Sequence, residues 1–68
     1  MIDGLTLKQA RMLRGLTQKQ LADALNKSES TIVKWESGKT EPRVSEFSDL
    51  CDVLNVDKNS IILPIGQE

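Results

Sequence analysis

The residues with the most to offer chemically lie between Thr17 and Arg43. Read as a helix at about 100° per residue, the run Glu29–Ser37 places Ile32 and Trp35 on one side. Ser30, Val33, Lys34 and Ser37 point the opposite way, with Ser28 and Glu29 at the N-terminal end. An ammonium group donates to guanine O6 and N7, a carboxylate accepts from cytosine N4, and a branched apolar side chain meets a thymine methyl. Lys34, Glu29 and Val33 are therefore side chains of the kinds that read base edges. Thr17, Lys27, Lys39, Thr40 and Arg43 flank this helix with hydroxyls and cations suited to phosphate oxygens. A merely solvated outer face explains such a helix equally well when it is taken alone. The elements around it shift the balance.

Those elements run from Leu16 to Pro42. Thr17 fits an N-cap whose hydroxyl accepts from an unpaired N–H of the first turn, and Gln20 completes a capping box. Leu16 and Leu21 have the spacing of a hydrophobic staple, and the helix buries Leu21, Ala22 and Leu25. Asn26 tolerates the left-handed conformation that ends a helix, and Ser28, two residues on, caps the next. So short a link forces the two helices to cross closely, which the small Ala22 permits. This is the helix-turn-helix layout, whose second helix is offered to a DNA groove.

The remaining chain reads as support. A lead-in over residues 1–5 packs Ile2 or Leu5 on the core, and Thr6 caps a first helix that ends at Arg14 before Gly15. Leu7, Ala10 and Leu13 form its buried stripe, with Lys8, Arg11 and Arg14 on the surface by default. Gly38 closes the third helix. Pro42-Arg43 leads into a fourth over Val44–Leu54, which buries Val44, Phe47, Leu50, Cys51 and Leu54. Asp57 caps a short fifth helix that Pro64 ends. Ile61, Ile62, Leu63 and Ile65 are too apolar for a free tail; residues 58–68 close the core, form a two-fold dimer seam, or do both. The expected architecture is all-α, a compact bundle of five short helices in one domain spanning residues 1–68.

The run L-T-Q-x-x-L-A-x-x-L followed by S-x-x-x-I-x-x-W-E-x-G-K-x-x-P resembles the Cro/repressor-type, lambda-repressor-like helix-turn-helix family of phage and bacterial regulators, over Leu7 to about Leu63. The resemblance implies that Ser28, Glu29, Ser30 and Lys34 face bases. It implies that Gln18, at the start of the second helix, binds backbone phosphate, and that Arg11 forms a partly buried ion pair with Glu36. Several relatives carry glutamines where this chain has Glu29 and Ser30, which implies a different operator.

Composition bounds the alternatives. Sixty-eight residues with 38% hydrophobic content leave room for one small core. The formal net charge is −1, but residues 1–43 hold eight Lys/Arg against five Asp/Glu, and residues 44–68 hold one lysine against five acids. A domain so divided turns its basic part to phosphates and its acidic end away. Met1-Ile2-Asp3-Gly4 is no secretory start, no apolar run approaches a membrane span, and the single Cys51 fits a reducing cytoplasm. Cys51, with no histidine in the chain, is expected to be a core residue rather than a metal ligand or nucleophile. Ser37-Gly38-Lys39-Thr40 matches the end of a phosphate-binding loop, but Val33 stands where that motif needs its first glycine.

The expected function is a sequence-specific double-stranded DNA-binding repressor of a bacterial or phage-infected cell, nucleoid-associated, homodimeric at least on DNA. It would need no cofactor and carry out no catalysis. The alternative is a protein-interaction module of the same fold, such as an antitoxin or partner-binding regulator.

Overall fold

The computed structural model describes residues 4–62. The elements are β1 (Leu5–Thr6), α1 (Leu7–Leu13), α2 (Gln18–Ala24), α3 (Glu29–Ser37), α4 (Val44–Leu54), a 3-10 turn over Lys58–Ser60 and β2 (Ile61–Ile62). Local chemistry sets the helix starts. The Thr6 and Thr17 hydroxyls accept from the backbone N–H of Gln9 and Gln20 at 3.1 and 3.0 Å, and both glutamine amides accept in return from the threonine N–H at 2.9 Å. Ser28 Oγ accepts more loosely from Thr31 N–H at 3.4 Å.

The four helices share one way of stopping. A left-handed residue follows each: Gly15, Asn26, Gly38 and Asn55, with φ between 56° and 83°. The next N–H then turns back to a carbonyl five residues earlier, Leu16 to Arg11, Lys27 to Ala22, Lys39 to Lys34 and Val56 to Cys51, at 2.8–3.2 Å. These are Schellman closures, and they occupy carbonyls the helix leaves free. Gly15 and Gly38 hold positive φ without the Cβ strain that most residues meet there, and asparagine is among the side chains that tolerate it.

Leu7, Ala10, Leu21, Ala22, Ile32, Trp35, Leu50 and Leu54 form the core, ringed by partly buried Leu5, Leu16, Leu25, Phe47, Val53, Val56 and Ile61. Within it α2 and α3 pack against each other most extensively. Among the described residues no helix is long and apolar enough to cross a membrane.

Three expectations need correction. Leu13 is 72% exposed, because Arg11 rather than Leu13 completes the buried stripe of α1 beside Leu7 and Ala10. Val44 is 87% exposed; as the first residue of α4 it lies at the edge of the arc centred on Leu50, Cys51 and Leu54. The expected fifth helix is one 3-10 turn. Asp57 does cap it, accepting from Asn59 N–H at 3.0 Å, but Ile61 and Ile62 then extend and pair in parallel with Leu5 and Thr6. Branched isoleucines favour that extended pairing over another helical turn. The fold is thus four α-helices with a two-residue parallel ladder tying the two ends of the described chain. Ile2, Leu63, Pro64 and Ile65 lie outside the described residues.

Burial separates the leucines sharply. Leu50→Ala is expected to cost about 2–5 kcal/mol, enough to unfold much of so small a domain. Leu13→Ala should change stability by less than about 0.5 kcal/mol. Urea denaturation of the two variants checks the difference, and equal losses would place Leu13 in the core after all.

Candidate nucleic-acid interface

The candidate surface is built from the N-terminal ends of α2 and α3, the outer side of α3 and the loop that follows it. Ile32 and Trp35 anchor the inner side of α3 in the core at 0% and 3% exposure. The outer side is left free: Glu29, Ser30, Val33, Lys34 and Ser37 are exposed. Ser28, also exposed, sits within 3.1 Å of Ser30 Oγ and 3.0 Å of Thr31 Oγ1, so three hydroxyls cluster where the helix begins. Thr31 is a member that sequence reasoning missed; its only linear signal is its place three residues after a capping serine.

Thr17, Gln18 and Glu29 line one shallow groove with Gly15 and Leu16. The start of α2 and the start of α3 therefore address the same space. At the far end of α3, Lys39 and Thr40 N–H both donate to the Lys34 carbonyl, at 3.0 and 3.4 Å, and Ser37 Oγ donates there at 3.1 Å. This folds exposed Lys39 and Thr40 back beside Lys34, with exposed Arg43 at the N-cap of α4. Among the described residues no cluster of side chains is arranged to hold a metal ion. Cys51 is buried in α4, and desolvation raises its thiol above the ordinary value, so burial disfavours the reactive thiolate.

What orients the surface lies beneath it. Arg11 Nε donates to Glu36 Oε2 at 2.6 Å and Nη2 to Oε1 at 3.3 Å, while Nη1 donates to the Leu16 carbonyl at 2.7 Å. Gln18 Nε2 adds a third donor to Glu36, at 3.0 Å. The two charged side chains are only 10% and 6% exposed, and no buried polar side-chain atom among the described residues lacks a partner. One carboxylate thus ties α1, α2 and α3 together. The Gln18 amide is engaged on the protein side, a bond with no signal in linear sequence. Lys27 is engaged too, with Nζ 2.5 Å from Glu46 Oε2.

A family model described as helix-turn-helix matches residues 7–61. The chain belongs to the Cro/C1-type helix-turn-helix family. No curated protein and no solved structure matches it significantly. The helix-turn-helix proper is α2, the Leu25–Ser28 turn and α3, and the family is a DNA-binding rather than an enzyme family. In such a motif α3 takes the place of the recognition helix.

Breaking the pair under that helix should be costly. Arg11→Met leaves Glu36 buried without its cation and is expected to cost about 3–5 kcal/mol, whereas Arg11→Met with Glu36→Leu should recover much of the loss. Chemical denaturation of both variants tests this. Glu46 supplies a pH test. Its carboxyl is held below the ordinary value of 4.5, first by the Arg43 backbone N–H and then by Lys27. Its contribution to stability is therefore present above pH 4.5 and lost as the pH falls through the lower folded-state value. Denaturation midpoints for wild type and Glu46→Gln should converge on acidification, and a constant gap would rule that coupling out.

Proposed function

We propose that this domain is a sequence-specific double-stranded DNA-binding regulator, a phage or bacterial repressor that occupies its operator as a homodimer. One observation carries the reading: α3 is locked to the core through Ile32, Trp35 and Glu36 while its opposite side stays exposed and chemically mixed. A rigid helix with a free polar face is what major-groove insertion requires.

Ser28, Glu29, Ser30, Val33 and Lys34 meet base edges in this reading. Lys34 donates to guanine, Glu29 accepts from cytosine, and Val33 packs on a thymine methyl. Thr17, Lys39, Thr40 and Arg43 meet phosphates and set the register; Gln18 joins them with the amide N–H that Glu36 leaves over, and Lys27 lies beside them at the turn with its ammonium held by Glu46. The short serines at the start of α3 leave part of the specificity to bridging water and DNA shape. Residues 58–68 are the dimerisation end, and a two-fold dimer places half-sites about 34 Å apart.

A second reading has its own observation. Leu5, Gln9, Met12 and Leu13 line an open, mostly apolar patch, with Met12 60% and Leu13 72% exposed. Such a patch suits a protein-binding module of the same fold.

Selection from a randomised duplex library at two salt concentrations separates the two. Enrichment of a dyad site, with affinity falling steeply as salt rises, is the expected result. No retention even at low salt would favour the protein-binding module. On the selected site Lys34→Ala should cost about 1–3 kcal/mol and relax one base position; an equal loss on every sequence would reassign Lys34 to phosphate.

A further inference from the structure

The turn before α3 and the first turn of α4 are joined by one carboxylate. Glu46 Oε2 accepts from Lys27 Nζ at 2.5 Å, and Oε1 accepts from Arg43 N–H at 2.7 Å. The Lys27 backbone is itself fixed, its N–H donating to the Ala22 carbonyl at 2.8 Å to close α2. With side chains 36% and 22% exposed, this pair is far more sheltered than Lys19–Asp23, which is 71% and 67% exposed at 4.0 Å. The carboxyl is also held in its charged form by the bonds it accepts. A short pair with a carboxylate already oriented as a helix cap is better pre-organised than Lys19–Asp23, although solvent and salt still reach and screen it.

We infer that Glu46 sets how tightly the domain holds DNA backbone of any sequence, by occupying the Lys27 ammonium at the entrance to the recognition helix. The inference rests on the DNA-binding reading above. A phosphate arriving beside Ser28 meets a cation already neutralised and an anion behind it. The domain thereby forgoes one counterion-releasing contact, and sequence-independent binding weakens. Base-edge contacts from α3 then make up a larger share of the total affinity. Glu46 touches no base in this scheme; it acts through Lys27.

The test uses the whole chain and a 20-base-pair duplex of arbitrary sequence, with Kd measured between 50 and 200 mM salt. Glu46→Gln keeps an oxygen able to accept from Arg43 N–H, and circular dichroism verifies its fold. It should bind about 10-fold tighter at 50 mM salt, and its slope of log affinity against log salt should steepen by up to about 0.9. Adding Lys27→Ala should abolish both gains. Asp52→Asn makes the same charge change near the other end of α4 and should produce a much smaller one. An unchanged slope in folded Glu46→Gln overturns the inference, as does an equal gain in Asp52→Asn or persistence of the gain without Lys27. Weaker binding by Glu46→Gln also overturns it, since Glu46 would then be presenting Lys27 to phosphate. If the wild-type chain fails to bind even at 50 mM salt, the DNA-binding reading itself has failed, a result distinct from binding that Glu46→Gln leaves unaltered.

Discussion

The Arg11–Glu36 pair is the constraint on which the rest of this domain depends. A guanidinium and a carboxylate that have both left water are tolerable only if each of their polar atoms finds a partner, and here each does. Arg11 spends its donors on Glu36 and on the Leu16 carbonyl, while Glu36 takes a further one from Gln18. The three contributors sit on α1, on the start of α2 and on α3, so satisfying one buried charge fixes three helices relative to one another. A purely apolar contact at that place would tolerate small slides; a bidentate ion pair has a narrow geometry.

That constraint bears on the outer surface through α3. Ile32 and Trp35 set which side of the helix is buried, and Glu36, one residue after Trp35, ties it to α1 and α2. The exposed side is left with Glu29, Ser30, Val33 and Lys34 in a defined direction. The Schellman closure after Gly38 then brings Lys39 and Thr40 back over the last turn. Backbone geometry, burial and electrostatics agree on one arrangement, the mark of a consistently specified small fold.

The charge distribution has a structural counterpart. Glu46, the first acid of α4, pairs with Lys27 beside the start of α3, while Asp49 and Asp52 follow along the same helix and line a separate groove with Asn26 and Leu25. A chain of formal charge −1 is therefore not uniform in its field, and its few cations matter individually.

Much of this was legible in the sequence because its causes are local. Thr6, Thr17 and Ser28 start helices through their own neighbours three residues on, and Gly15, Asn26 and Gly38 stop them through their own φ. The spacing of Ile32 and Trp35 was enough to say which side of α3 is buried. The Arg11–Glu36 pair was expected only through family resemblance, since nothing in the linear chain brings those positions together. Tertiary structure decided the rest. Gln18 and Lys27 turned out to be held by Glu36 and Glu46, Leu13 gave its buried place to Arg11, and Ile61 and Ile62 left the expected helix for a ladder with Leu5 and Thr6. Each of these depends on a partner far along the chain, and local periodicity carries no information about which distant group will arrive to compete for a residue.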